Sequence, residues 1–244
     1  ANCPVYGCTD STASNYDVNA DTDNGSCIYQ MTYVPDDNFE QYLIDQGWDN
    51  ILDDSVLTAS IDTVTSLSIE GLEIYSLTGI EDFTALNYLD IYENDITSLD
   101  LSQNTALIEL RCNFNYNLTS LDLSNNTNLD ILKCYDNNLT SLDLSNNPAL
   151  IELVCYENQL TSLDLRNGNN YNLNLNANDN PNLTCIDVDD PAYSTANWTN
   201  IDAHTSFSTN CNPVYGCIDS TACNYDTNAN TDDGSCDLPN GCTD

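Results

Sequence analysis

The stretch Leu129–Leu150, LDILKCYDNNLTSLDLSNNPAL, decides the fold. It recurs almost letter for letter in Leu150–Leu165 (LIELVCYENQLTSLDL) and, one residue longer, in Leu107–Leu129 (LIELRCNFNYNLTSLDLSNNTNL). A period of 21 or 22 residues is too short for an independent domain, so each copy can bury its apolar side only by stacking on its neighbours. The sequence therefore predicts a solenoid.

Each copy contains the order L-x-x-L-x-C-x-x-N-x-L, which here is Leu129, Leu132, Cys134, Asn137 and Leu139. Leu132 and Cys134 lie two residues apart, so both point inward from an extended segment. An inward Asn amide can satisfy backbone groups where the chain turns, and stacked copies form a ladder of such amides. This pattern resembles the leucine-rich-repeat family, with Cys where many members carry a third Leu.

The fold class that we predict is mainly β, a leucine-rich-repeat solenoid with one curved parallel sheet. The first repeat is expected to place Val64, Leu67, Ile69 and Leu72 inward, and the degenerate sixth to use Leu173, Leu175 and Asn178. The six strands are expected near residues 66–70, 88–92, 109–113, 131–135, 152–156 and 172–176.

The charge of the chain is strongly negative. The formal net charge is −36, from 39 acidic and three basic residues, Arg111, Lys133 and Arg166. Phosphate backbones and anionic membrane surfaces repel such a chain, and no run of about 20 apolar residues spans a membrane. We therefore expect no nucleic-acid partner and no direct membrane insertion.

The 12 cysteines fall into two classes. Cys112, Cys134 and Cys155 hold the same inward position in consecutive repeats, where a thiol acts as a small buried hydrophobe. A disulfide between neighbouring turns could fit by distance, but three thiols in one column leave at least one unpaired. We interpret these three as core thiols. The other nine lie outside the repeats, which suits an oxidising compartment and predicts a secreted or cell-surface protein.

Residues 2–27 and 210–236 are two copies of one small module, too short to build its own core. Their matching cysteines predict the disulfides Cys8–Cys27 and Cys217–Cys236. Cys223 and Cys242 both lack counterparts in the first copy, so they could pair with each other. Alternatively, GCTD at 241–244, which repeats 7–10, begins a third module that supplies the partner of Cys242.

Each module also carries oxygen-bearing residues at alternating positions. Oxygen ligands spaced by two in a tight loop suit a hard cation, which makes Ca²⁺ the candidate cofactor. The spacing departs from an EF-hand, and the alternative interpretation is a solvated loop built from Asx-turns. The candidate ligands are Asp17, Asn19, Asp21, Asp23, Asp226, Asn228, Asn230 and Asp232.

Two further segments are expected to cap the solenoid. Pro35-Asp36-Asp37 precedes apolar residues at helical spacing, which predicts an amphipathic helix that ends at Gly47. At the other end, a Cys185–Cys211 disulfide would pin a closing segment. The predicted organisation is a first module at 1–29, an N-terminal cap at 30–63, repeats at 64–179, a C-terminal cap at 180–211, and a second module with the start of a third at 212–244.

The two caps add a second resemblance. YVPDDNFEQYLIDQGWDN and the segment at 180–211 are similar to the ends of leucine-rich repeats in large secreted surface proteins of gliding and marine bacteria, here flanked by Cys-rich GCTD…DDGSC modules. The resemblance implies surface or secreted placement and a role in adhesion. Because Asn2-Cys3 matches Asn210-Cys211, we also expect a preceding repeat domain that holds the partner of Cys3, and further copies of these modules in the same chain or filament.

Catalysis is not expected, because the single His204 has no Cys or Ser pattern and no second His beside it. The face formed by the outward strand residues is the usual binding surface of such repeats. Its columns are Tyr88, Glu109, Ile131, Glu152; then Asp90, Arg111, Lys133, Val154; then Tyr92, Asn113, Tyr135, Tyr156.

Two interpretations of this face stay open. In one, Tyr92, Tyr135 and Tyr156 form a platform for a glycan or a surface protein, and Arg111 and Lys133 fix an acidic group. In the other, the two basic residues only form exposed ion pairs. The predicted function is an extracellular, non-enzymatic adhesion module. The alternative is a purely structural, calcium-stabilised spacer in a surface filament.

Overall fold

The structure, a computed structural model, describes residues 3–212, 214–229 and 231–238. None of the helices within these residues is long and apolar enough to cross a membrane. In chain order the elements are β1 (Tyr6–Gly7), β2 (Thr22–Asp23), β3 (Met31–Tyr33), α1 (Asp37–Asp45), β4 (Ser55–Leu57), α2 (Thr58–Ile61), β5 (Ser66–Ser68), a 3₁₀ turn (Ile80–Asp82), β6 (Tyr88–Asp90), β7 (Glu109–Arg111), β8 (Ile131–Lys133), β9 (Ser141–Asp143), β10 (Glu152–Val154), β11 (Ser162–Leu165), β12 (Asn174–Asn176), β13 (Cys185–Val188), α3 (Pro191–Asn197), β14 (Ser206–Ser208), β15 (Tyr215–Gly216) and β16 (Thr231–Asp232).

The main sheet has six parallel strands in the spatial order β5, β6, β7, β8, β10, β12. One leucine of each strand lies in register with that of the next, which confirms the predicted repeat positions. All six of these leucines are buried because they point into the solenoid. The column is Leu67, Leu89, Leu110, Leu132, Leu153 and Leu175.

A second parallel sheet on the returning side of the turns was not predicted. It has four strands in the order β9, β11, β13, β14. Its strands place Leu142 and Leu163 inward and carry Asp143 and Asp164 outward in register. In the earlier repeats the same segments make only a single bridge, between Asp100 and Asp122. The sequence pattern is equal in both regions, so only the packing of the turns decides where this sheet forms.

The inward asparagines form the predicted amide ladder. The Nδ2 of Asn137 donates to the carbonyl oxygens of Cys112 and Cys134 at 3.0 and 2.9 Å. Its Oδ1 accepts from the backbone N–H of Asn115 at 2.8 Å. One side chain thus satisfies backbone groups of its own turn and of the preceding one. The same arrangement recurs, in whole or in part, at Asn94, Asn115, Asn158 and Asn180.

The repeats at the two ends depart from the predicted positions. Leu72 is 38% exposed, and the fully buried Ile74 fills the core of the first repeat instead. In the sixth repeat the inward amide is Asn180, not Asn178. Asn178 lies two residues too early, because the spacing of five residues from Leu175 to the ladder position is kept even in this degenerate copy.

The core thiols are confirmed as buried and unpaired. Cys112, Cys134 and Cys155 are each fully buried and form no disulfide. Burial raises the pKa of Cys112 and of Cys155 to about 12, because a thiolate loses its hydration there. Burial likewise raises the pKa of Cys134 well above its ordinary value.

The N-terminal cap is built on the predicted helix. Asp36 Oδ1 accepts from the backbone N–H groups of Asn38 and Phe39, which caps α1. Its Oδ2 accepts from the N–H groups of Tyr75 and Ser76 in the first repeat, at 2.8 and 3.0 Å. A single carboxylate therefore joins the capping helix to the solenoid.

The C-terminal cap is pinned by the predicted Cys185–Cys211 disulfide. Trp198, which follows α3, is buried and donates its Nε1–H to the carbonyl of Leu173 at 3.1 Å. Arg166 pairs with Asp164, and its Nη1 donates to the carbonyl of Thr209 in the cap at 3.1 Å. These contacts close the last turn and give Arg166 a structural role.

We expect Asn137→Ala to lower the free energy of unfolding by about 3 kcal/mol, because each buried backbone group left without a partner costs roughly 1–3 kcal/mol. Urea denaturation of wild type and variant measures the difference. Asn146→Ala is the matched control, since Asn146 is exposed in the same repeat. Equal destabilisation by both substitutions would contradict the role of the ladder.

We also expect Cys112, Cys134 and Cys155 to resist iodoacetamide at pH 8 in the folded protein. Cys3 is exposed and unpaired, so it should be labelled and serves as the internal control. At pH 8, a thiol with a pKa of about 12 is deprotonated in only a fraction of about 10⁻⁴ of the molecules. Its burial also blocks access of the reagent. Peptide mass mapping before and after denaturation reads the labelling, and native labelling of the column would disprove its burial.

Candidate functional site

The outward residues of β6, β7, β8 and β10 form one continuous face, which we call the ligand face. Strand register aligns its first column as Tyr88, Glu109, Ile131 and Glu152, and its second as Asp90, Arg111, Lys133 and Val154. The structure therefore places Arg111 and Lys133 side by side on adjacent strands, as the sequence predicts.

Both basic residues of the ligand face have acidic partners. Arg111 Nε donates to Glu109 Oε1 at 2.6 Å, and this bond raises the pKa of the guanidinium. Arg111 also lies 5.7 Å from the centre of the Tyr88 ring, within cation–π range. Lys133 Nζ lies 3.2 Å from Glu152 Oε1. These are the ion pairs of the second interpretation, and they leave little positive charge unbalanced on the face.

The third column forms a chain of rings, which we call the aromatic ladder: Tyr92, Phe114, Tyr135 and Tyr156. Ring centres are separated by 5.2 Å from Tyr92 to Phe114, by 5.4 Å from Phe114 to Tyr135, and by 4.5 Å from Tyr135 to Tyr156. The first two contacts are edge-on, and the last is a near-parallel stack at 15°. All four rings are half-buried, so the ladder offers an amphipathic surface across four turns.

Phe114 was missed by the sequence analysis, which placed Asn113 in this column. Asn113 is buried, and the ring of the next residue takes the place on the face. The order of residues before the inward Asn already sets this repeat apart from the others. The two residues before the inward Asn are aromatic then acidic in the repeats with Tyr92, Tyr135 and Tyr156, but polar then aromatic in this repeat.

A shallow hollow of about 280 Å³ lies where the basic residues meet the ladder. It brings together four of the five predicted ligand-binding residues, while Tyr156 stacks on the ring of Tyr135 beside it. The lining residues are Glu70, Asp90, Tyr92, Arg111, Asn113, Lys133 and Tyr135.

Next to the ladder runs a row of residues in the left-handed backbone region, which we call the acidic rim. Five of its six members are acidic, and each has a φ between 50° and 59°. The carboxyl group of Asp136 on the adjacent turn raises the pKa of Glu157. The rim consists of Glu73, Glu93, Phe114, Asp136, Glu157 and Asp179.

A larger hollow, of about 390 Å³, lies on the returning side among the Asp and Ser columns. Asp100 and Asp122 each accept a backbone N–H two residues ahead, from Ser102 and Ser124, and these bonds lower the pKa of both carboxyls. These carboxylates thus accept hydrogen bonds within their own turns, and the bonds stabilise the negative charges that are stacked there.

Four of the candidate calcium ligands, Asp17, Asp23, Asp226 and Asp232, form local turns. In the first module, Asp17 Oδ1 accepts from the N–H of Asn19, Asp21 Oδ1 accepts from that of Val5, and Asp23 Oδ1 accepts from that of Gly25. Asp226 and Asp232 make the corresponding bonds to Asn228 and Gly234 in the second module, and Asn230 lies outside the described residues.

The four bonds that run from a carboxylate to the N–H two residues ahead are those of the Asx-turn alternative, and the bond of Asp21 to Val5 joins distant parts of the module. Within the described part of the chain, no three acidic, His or Cys side chains come close enough together to hold a metal ion. Calcium binding stays a prediction from the sequence.

Both module disulfides are present as predicted, Cys8–Cys27 and Cys217–Cys236. The proposed partner of Cys223, Cys242, lies outside the described residues. His204 is exposed in the loop between α3 and β14.

Comparison with known proteins supports this description of the repeats. No protein-family model matches the chain. Internalin J of Listeria monocytogenes is 38% identical over 73 residues, which are 30% of this chain and 8% of that protein. The solved functional domain of InlJ from Listeria monocytogenes, described as including a cysteine ladder, is 36% identical with a TM-score of 0.56.

That match covers 66% of this chain and 38% of the solved chain, so this chain spans well under half of these relatives. Internalin C2 of Listeria monocytogenes is 19% identical over 74% of this chain and 99% of its own, with a TM-score of 0.35. The column of Cys112, Cys134 and Cys155 is likewise a ladder of cysteines on consecutive turns. The chain therefore carries a leucine-rich-repeat solenoid that is similar in sequence and in structure to that of internalin J.

Proposed function

We propose that the chain is a non-enzymatic adhesion module of a secreted or cell-surface protein, and that its ligand face binds a surface protein or a glycan. The observation that carries this proposal is the aromatic ladder. Four half-buried rings in one row exceed what the core needs, because the core is already filled by the inward Leu, Ile and Cys columns. Rigid rings offer a large contact area at low cost in conformational entropy.

The residues proposed to contact the ligand are those in and beside the hollow. Tyr92, Tyr135 and Tyr156 supply stacking surface and hydroxyl groups. Arg111 and Lys133 orient the ligand by exchanging part of their present ion pairs for bonds to it. Both are partly exposed, with side-chain exposures of 39% and 28%, so such an exchange needs no rearrangement of the core.

The extracellular placement is supported by the three described disulfides, which persist in oxidising compartments. The similarity to internalin J supports a role in interaction rather than catalysis. Further copies of the same modules in one chain or filament remain part of this proposal, because the two modules repeat one sequence around the solenoid.

We expect the double variant Lys133→Ala, Tyr135→Ala to lose binding to the ligands that wild type captures on glycan and cell-surface protein arrays. The melting temperature should fall by about 5–10 °C, which leaves the protein folded at room temperature, because a surface ion pair contributes under about 1 kcal/mol and each of the two ring contacts of Tyr135 about 0.5–1.5 kcal/mol. Array binding and thermal melting are measured on the same preparations.

Tyr75→Ala is the control, since Tyr75 is 58% exposed but lies outside the ladder. It should leave array binding unchanged. If the double variant binds the same ligands as wild type, or if wild type captures none, the ligand face has no binding role and the spacer alternative gains support.

The spacer alternative makes its own prediction through calcium. If the cation stabilises the modules, a chelator should lower their melting transition, while the transition of the solenoid should not move because stacked apolar residues stabilise it. Differential scanning calorimetry with and without chelator at moderate salt, with elemental analysis of the protein, measures this. Identical curves and no bound metal would exclude a stabilising role for calcium.

A further inference from the structure

The aromatic ladder has an asymmetric electrostatic environment. On one side lie Arg111 and Lys133, each already paired with a carboxylate. On the other side lies the acidic rim, where Asp136 directly follows Tyr135 and Glu157 directly follows Tyr156. The unbalanced charge next to the rings is therefore negative.

Asp136 and Glu157 hold equivalent positions on adjacent turns, each directly after one ring of the Tyr135–Tyr156 stack, whose centres lie 4.5 Å apart. Like charges at this separation repel, and they remain together because the backbone fixes both residues. The N–H of Asp136 donates to the carbonyl of Tyr156, and that of Glu157 to the carbonyl of Asn178. The pair is thus held in place by the same ladder of bonds that stacks the turns.

No basic residue of the chain neutralises this pair. The chain has three Lys and Arg residues, and all three have ion-pair partners elsewhere. Arg111 contacts Glu109 and Asp90, Lys133 contacts Glu152, and Arg166 contacts Asp164 and Asp187. A complementary cation must therefore come from outside the chain.

The rings beside the pair indicate what kind of cation fits. Tyr135 and Tyr156 stack with centres 4.5 Å apart, and the ladder ends at Tyr156 because Asn178 takes the next position in the column. A metal ion requires several oxygen ligands around it, and no three acidic, His or Cys side chains converge in the described part of the chain. A guanidinium needs only a carboxylate fork and an aromatic face, because its plane stacks while its N–H groups donate in parallel.

We propose that Asp136, Glu157 and the Tyr135–Tyr156 stack form an anchor for an arginine side chain on an extended segment of a partner protein. This inference rests on the proposed function and narrows its partner from glycan or protein to a protein with basic residues. The segment lies along the aromatic ladder, and its arginine enters between the two carboxylates. The charge of −36 on the chain assists the approach of such a partner.

The test uses the full chain and an acetylated, amidated peptide of three Gly-Ser-Arg units, with a counterpart in which neutral citrulline replaces each arginine. Isothermal titration at about 0.15 M salt screens distant charges. The variant Asp136→Asn, Glu157→Gln keeps the shape of both side chains, and Asn tolerates the left-handed backbone at 136. We expect it to bind the arginine peptide about tenfold more weakly than wild type, which corresponds to about 1.4 kcal/mol.

The matched control is Asp37→Asn, Asp54→Asn, which removes the same charge from two residues of the N-terminal cap. This control variant should bind the arginine peptide as tightly as wild type does. The citrulline peptide should bind wild type no more tightly than the arginine peptide binds the Asp136→Asn, Glu157→Gln variant. NMR signals of the Tyr135 and Tyr156 rings should shift with the arginine peptide. If both variants lose the same affinity for the arginine peptide, or if the ring signals do not shift, the peptide is attracted only by the overall negative charge of the chain. Either result would contradict the proposed arginine anchor.

Array binding separates this inference from the broader proposal. If the 136/157 variant keeps the array ligands that the Lys133→Ala, Tyr135→Ala variant loses, the ligand face binds without the anchor, and only this inference fails. If a neutral oligosaccharide shifts the two ring signals and the arginine peptide does not, the partner is a glycan. If neither variant loses any array ligand, the proposed function fails as well.

Discussion

The inward asparagine of each turn holds the solenoid together. In a solenoid, a turn contacts only its neighbours, so the turns must be tied together one by one. Asn158 shows how this is done: its Nδ2 donates to the carbonyls of Cys134 and Cys155, and its Oδ1 accepts from the N–H of Leu139. The Asn amide suits this role because it carries two N–H donors and a separate carbonyl acceptor on a short side chain. The Leu and Cys columns can then stack in register.

The register of the turns favours the stacking of aromatic rings but also brings like charges close together. Strands spaced by about 4.8 Å bring equivalent side chains to nearly the stacking distance of aromatic rings, and Tyr135 and Tyr156 lie 4.5 Å apart. The same spacing stacks carboxylates on one another. On the returning side, Asp100 and Asp122 accept backbone N–H groups of their own turns. At the rim, Asp136 and Glu157 instead face each other, so negative charge accumulates beside the rings.

The acidity of the chain is partly a structural device. A carboxylate accepts several hydrogen bonds and donates none, so it suits sites where backbone N–H groups converge. Asp36 serves two N–H groups of α1 and two of the first repeat. The fully buried Glu40 accepts from the N–H groups of Asp53 and Ser55. At the opposite end, Asp187 accepts from the N–H of Cys211 next to the pinning disulfide. Both caps thus depend on carboxylates as well as on apolar packing.

The amino-acid sequence was enough to predict the repeat length, the inward Leu, Cys and Asn positions of the central repeats, the six strands of the main sheet, the capping helix and three disulfides. Most of these follow from local periodicity or from a duplicated segment. The sequence also placed Arg111 and Lys133 side by side. Three features became visible only in the folded protein. The returning segments pair from β9 onward, Phe114 completes the aromatic ladder in place of Asn113, and Asp136 and Glu157 come to lie on adjacent turns. These features depend on how side chains from different turns approach one another, and such distances arise only after the turns have stacked.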